Sequence, residues 1–299
     1  MNPLIIDYAQ SKALPLSVAK KGCFVINMPN DVYHAYEGIS KSGLDLIANS
    51  PALYAARKPN ETTRPMQIGT ALHAGILEPH IYASDFHLLP DIKDRRSSEY
   101  KKLKEIHGEA FVFVGEECAN LDAMIKQAHT DAEVMSYMNA GGISEMSAFI
   151  QCPEAGVLLR CRYDYLMTDS DVCIDVKKTK DAREVEFSKS IDDFRYHVQD
   201  AMYSYVYKLL TGRELVFKFL AIQEKTPHTA RIYTLDEYSK MIGYYYYHRD
   251  LMTFAECHKI NFWPQPSQNG EISLPYWAIN RYEEENDINM MDEFTGDEQ

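Results

Sequence analysis

The sequence predicts an α/β fold, a mixed β-sheet flanked by helices, on three observations. Residues 145–152, 157–167 and 172–177 are short and rich in β-formers. Pro153 and Gly156 separate the first two, and Asp169, Ser170 and Asp171 the last two. Those separators are turn chemistry, so the three stretches read as an antiparallel meander. Segments with apolar residues at helical spacing lie before and after it. The chain's 299 residues, 45% hydrophobic and 25% charged, suffice to bury a large core without staples.

The elements follow in order. Residues 1–32 hold the apolar runs 4–6 and 23–26, expected as edge strands of an N-terminal extension packed on the core. Residues 40–58 read as two short helices divided at Ser50 and Pro51, an N-cap followed by proline at the first helical position. Residues 66–77 form a compact helix with Gly69 and His73 one turn apart. Apolar residues between 118 and 138 follow helical spacing. After the meander come a long helix over about 186–210 stopped at Gly212, strands near 215–223 and 230–235, and a helix over about 236–258. The run Tyr244–Tyr247 reads as core and surface packing, because consecutive helical side chains point in different directions. The main domain therefore spans 33–282, and an acidic tail covers 283–299.

Net charge is −13, and eight of the 44 carboxylates fall in that tail, which has no Lys or Arg. Such a composition offers little to offset ordering entropy, so disorder is expected there. A globally basic nucleic-acid coat is excluded, but a local basic groove is not. The six cysteines are scattered with no C-x-x-C pair, which speaks against zinc ribbons and iron–sulfur cassettes. No apolar run approaches the ~18 residues of a membrane span, and a cytoplasmic location is expected.

The chemistry centres on residues 172–177. Strand alternation points Val172, Ile174 and Val176 into a core and sets Asp175 beside Lys177 on the other face. One strand earlier, Arg160, Arg162 and Asp164 share a face, and the intervening turn brings Asp164 toward Asp175. Two carboxylates and a lysine on neighbouring strands suit a hard divalent cation such as Mg²⁺. Read alone, D-x-K also fits a solvated hairpin, and a single helical histidine such as His73 is usually structural. Gln199 and Tyr203 share a helix face at i, i+4. Glu145 opens the meander.

In this order and spacing the set resembles the PD-(D/E)xK nuclease superfamily, and within it the RecE-like (exonuclease VIII) group of RecB-like exonucleases. The resemblance runs over about 33–280. It rests on residues 39–47 with Ser50 and Pro51, 68–73 with Leu77 to Pro79, and 161–166. It continues through Asp175, Val176 and Lys177 with Thr179, and through 196–199 with Tyr203. It implies a restriction-endonuclease-like core. His73, Asp164, Asp175 and the Val176 carbonyl would hold Mg²⁺ (or Mn²⁺), with Lys177 as the catalytic lysine. Gln199 and Tyr203 would match the Q-x-x-x-Y motif that supports the site, and Glu145 would be a further acid beside the metal. Lys178 stands where the family's D-L-K-T-T run has a threonine.

The implied activity is digestion of linear double-stranded DNA from its ends, 5′ to 3′, in a bacterial cytoplasm. It leaves 3′ single strands for a RecT-like single-strand annealing protein. A ring-shaped homo-oligomer is implied as well. An acidic chain must collect its phosphate contacts locally. Arg95, Arg96 and Lys101 are the first candidates, with Arg160, Arg162 and Arg195 nearer the chemistry. The competing expectation is a non-catalytic scaffold that keeps the fold to bind DNA ends or a recombinase.

Overall fold

The protein is described here by a computed structural model covering residues 3–58, 62–265 and 271–286. In chain order the strands are β1 (Ile5–Asp7), β2 (Cys23–Ile26), β3 (His87–Leu89), β4 (Val112–Val114), β5 (Ile143–Gln151), β6 (Leu158–Met167), β7 (Val172–Thr179), β8 (Val216–Gln223) and β9 (Ala230–Tyr233). Among the described residues, β3 and β4 pair as a separate parallel ribbon. The other seven form one sheet in the order β1-β2-β5-β6-β7-β8-β9. Strands β5, β6 and β7 are the expected meander, antiparallel throughout. The β1–β2 and β7–β8 pairs are parallel, so the sheet is mixed.

A parallel pair needs a long crossover. Between β7 and β8 it is supplied by helices Glu184–Asp193 and Tyr196–Thr211. The second lies on one sheet face with Lys41–Asn49 and Glu237–Ile260, sharing a core that includes Leu44, Cys161, Tyr163, Val198, Met202, Phe219 and Leu251. Helices Arg64–Leu77 and Glu116–Thr130 cover the other face, around Leu72, Leu121, Ile174, Val176 and Leu220. Both faces of β7 are thus buried, which is why its sequence is nearly continuous in apolar residues around Asp175.

Several expectations are corrected. Of the two N-terminal apolar runs, the first lies at the sheet edge as expected and the second does not. They supply β1 and β2, and β2 is an interior strand paired to β5 through Cys23–Phe149, Phe24–Ala148 and Val25–Ser147. The long helix after the meander is two helices. Arg195 between them has φ 52° and ψ 44° in the left-handed region, held there by ion pairs of its guanidinium with Asp45 (2.9 Å) and Asp250. The segment after 116 also breaks, at Asp131, whose carboxylate caps Ala132–Asn139 by accepting from the amides of Glu133 and Val134.

Tyr247 is buried while Tyr244 and Tyr245 are exposed, as the helical directions require. All six cysteines are buried free thiols. No helix of the described residues is long and apolar enough to cross a membrane.

The described residues from Pro264 onward belong to a second unit. Its helix, Tyr276–Asn286, includes Glu283 to Glu285, the start of the expected disordered tail. Residues 287–299 lie outside those described.

Candidate active site

The site forms where β5, β6 and β7 depart from regular pairing. Ile143 and Met146 of β5 face the same core, as do Tyr163 and Leu166 of β6. Residues three apart cannot share a face of a regular strand. Both strands therefore step out of alternation together, at Glu145 and Asp164, while the register on either side stays constant. At Glu145 the cause is visible: φ is +50°, a left-handed conformation disfavoured for a side chain with Cβ. Such strain persists only where the surroundings enforce it.

The β6–β7 ladder is formed from Met167–Val172 to Tyr165–Ile174. Beyond it, the peptide groups of Val176 are satisfied by side chains. Asp164 Oδ2 accepts from the Val176 amide at 2.8 Å, and His73 Nε2 lies 2.9 Å from the Val176 carbonyl oxygen. His73 reaches over from helix Arg64–Leu77, and its Nδ1 is 3.4 Å from Asp164 Oδ2. A Cβ built on Gly69, one turn earlier, would meet nothing within 4 Å, so the helix leaves open space beside the imidazole.

Ligand atoms of His73, Glu145 and Asp164 lie within 4.8 Å of one another, and the Val176 carbonyl adjoins them. Two carboxylates, an imidazole and a main-chain oxygen form a mostly hard donor set that fits a divalent cation. Burial, with Asp164 next, pushes the Glu145 carboxyl up to about 7 against the opposing fields of His73 and Arg162.

Asp175 stands across from Phe219 of β8 and is 1% exposed. It is not one of that trio. Gln199 Nε2 donates to its Oδ1 at 2.6 Å, and Lys177 Nζ pairs with its Oδ2 at 2.5 Å. Burial raises the Asp175 carboxyl to about 6, with Lys177 pulling the other way. Burial also opposes the charge on Lys177, but Asp175 and then Asp164 overcome it and hold the ammonium above its usual range. Tyr203 packs its ring at 5.3 Å from Tyr163 and 5.7 Å from Phe217. Its carbonyl accepts from the Tyr163 hydroxyl at 2.9 Å. It borders the site by supporting β6.

The basic residues divide sharply. Arg160 donates to the carbonyls of Gly38, Tyr33 and His34, which spends its guanidinium on the preceding loop. Arg162, 9% exposed, donates to Ser147 Oγ and the Met28 carbonyl at 2.9 Å each, and its Nη1 lies 3.8 Å from Glu145. Arg195 is the hinge pin already described. All three guanidiniums are engaged in ties within the fold. Arg95 is paired with Glu117. Arg96, 89% exposed and bonded to Asp94, and exposed Lys101 remain on the surface.

Sequence reasoning missed Lys41, Tyr196 and the supporting role of Arg162. Lys41 Nζ bonds the Phe194 carbonyl at 2.5 Å and Asp45 at 2.8 Å. The Tyr196 ring lies 4.7 Å from Lys177 Nζ and 5.9 Å from Lys41 Nζ. Only the face shared by Arg162 and Asp164 was a usable signal.

A mixed sheet whose central strands bring Asp175, Lys177 and Asp164 to one edge, under a helical histidine and glutamine, has the fold of the PD-(D/E)xK nucleases. The sequence model described as "PDDEXK-like domain of unknown function (DUF3799)" matches residues 40–273, and the chain belongs to that family. A crystal structure of a "Putative exonuclease" from Eubacterium rectale aligns with a TM-score of 0.53 and 15% identity, over 83% of this chain and 97% of that one. A structure of SSO0001 aligns at only 0.27, with 11% identity over 70% and 84% of the two chains. No curated protein matches the chain.

Proposed function

We propose that this chain is a Mg²⁺-dependent exodeoxyribonuclease that degrades linear double-stranded DNA from its ends, 5′ to 3′. The observation that supports this best is the convergence of His73, Glu145, Asp164 and the Val176 carbonyl beside the Asp175–Lys177–Gln199 group. His73, Glu145, Asp164 and the carbonyl are the groups to hold the cation, with Asp175 adjoining. A divalent ion supplies charge neutralisation for the scissile phosphate and a more acidic water.

The remaining work belongs to the chain. Lys177, kept charged by Asp175, serves as a fixed positive donor toward a developing oxyanion and not as a base. Gln199 locks the Asp175 carboxylate in one orientation and so fixes the lysine. Arg96 and Lys101 are the proposed phosphate contacts. The reading carries with it a ring-shaped homo-oligomer, and a RecT-like annealing protein to receive the 3′ strand for recombination.

The test is linear duplex DNA labelled at either the 5′ or the 3′ end, incubated with Mg²⁺ or EDTA beside a covalently closed circle and Lys177→Ala. Mg²⁺-dependent loss of the 5′ label, with circle and variant inert, is expected. DNA ends bound but uncut by folded wild type would replace the enzyme with a scaffold.

A further inference from the structure

We propose that Tyr196 is a positioning residue for Lys177, an aromatic wall that fixes the ammonium for catalysis. This rests on the nuclease reading and adds to it a group outside the proposed cation ligands and phosphate contacts. Lys177 has four rotatable side-chain bonds and, among the described residues, a single ion-pair partner, Asp175. One contact alone leaves such a side chain free to pivot about the carboxylate. Tyr196 supplies the second boundary, with its ring centroid 4.7 Å from Nζ, inside cation–π range.

The wall is itself braced. Tyr196 stacks on Phe219 at 5.8 Å and on Phe194 at 5.6 Å, both with planes 26° apart. Phe219 is the β8 residue opposite Asp175, so one cross-strand pair fixes both neighbours of the ammonium. The helix break at Phe194–Arg195 is what makes this possible. Tyr196 becomes the first residue of the helix that also carries Gln199, and Lys41 pins the break through the Phe194 carbonyl. Ring and carboxylate thus both border the ammonium, and the Gln199 amide holds the carboxylate.

The test compares wild type, Tyr196→Phe, Tyr196→Leu and, should the leucine variant fail to fold, Tyr196→Met. On linear duplex with Mg²⁺, Tyr196→Leu is expected to lower kcat by roughly tenfold with KM within about twofold, and Tyr196→Phe to recover most of the loss. A second readout needs no DNA. Amine acylation followed by mass spectrometry is expected to modify Lys177 several-fold faster in Tyr196→Leu than in wild type or Tyr196→Phe. Equal Lys177 labelling in all variants overturns the inference. So does a loss carried by KM alone, or one shared by the phenylalanine variant. A wild type that cuts no DNA sinks the nuclease reading, and labelling then decides this one.

Discussion

The imidazole of His73 meets the main-chain carbonyl of Val176, a residue 103 positions later, at 2.9 Å. A helix on one sheet face thereby reaches the backbone of β7, next to Asp164. The two atoms are donor and acceptor to each other and, together, neighbours of the same carboxylate.

Replacing His73 should therefore weaken cation binding more than it weakens the fold. His73→Ala is expected to reduce Mn²⁺ affinity by about ten- to a hundredfold, the range seen when metal-site partners are removed. Its melting temperature should stay near that of wild type. Calorimetric titration with Mn²⁺ decides it, and unchanged affinity would remove His73 from the site.

Cation binding should also depend on pH with a definite sign. The Glu145 and Asp175 carboxyls are raised to about 7 and about 6, mainly by burial, so near pH 6 they retain protons that a cation must displace. Affinity is expected to rise from about pH 5.5 to about 7.5 and then level, with protons released on binding. Titrations in two buffers of different ionisation enthalpy count those protons. A flat affinity across that window would contradict the assignment.

Asp200 tests the same physics away from the cation. The residue is 4% exposed, Oδ1 accepts from Ser204, and Oδ2 is buried without a hydrogen-bond partner among the described residues. Burial lifts it to about 6. A raised carboxylate binds more protons folded than unfolded, so it costs stability as pH rises from about 4 through about 6, and the cost persists above that. Asp200→Asn should stabilise the protein by about 1–2 kcal/mol at pH 7.5 and by almost nothing at pH 4, read by denaturant unfolding. Equal gains at both pH values would rule out a charge origin.

The division among basic residues predicts two separate phenotypes. Arg195→Ala should cost about 1–3 kcal/mol of stability, because buried Asp250 loses one of its two arginine partners. Its DNA affinity should keep the wild-type salt dependence. Arg96→Ala with Lys101→Ala should fold normally and lower the slope of log affinity against log salt by about 1–2. An unaltered slope would move the DNA path elsewhere.

Much of this site was legible because strands have a period of two. Alternation alone put Asp175 beside Lys177 and Asp164 on the face of Arg162, and the residue types then named the chemistry. What could not be read depended on distant partners. The break at Arg195 has no proline or glycine to announce it; Asp45 and Asp250, remote in sequence, stabilise it. The left-handed Glu145 has no local signature either. Positive charge marked six candidate DNA contacts, and the acceptors that Arg160, Arg162 and Arg195 find within the fold could not be read from it. The three-residue strands β3 and β4 are too short for alternation to show.

Family similarity begins at residue 40, yet β5 is hydrogen-bonded along residues 147–149 to β2, which lies before that point. Arg162 likewise depends on the carbonyl of Met28. A chain trimmed to the region of similarity would open an apolar edge at Ala148 and Phe149 and strand a buried guanidinium within reach of Glu145. The family match thus begins inside the stretch of chain that builds the sheet. Any shortened form should be cut upstream of Leu4, or its inactivity will be mistaken for a missing function.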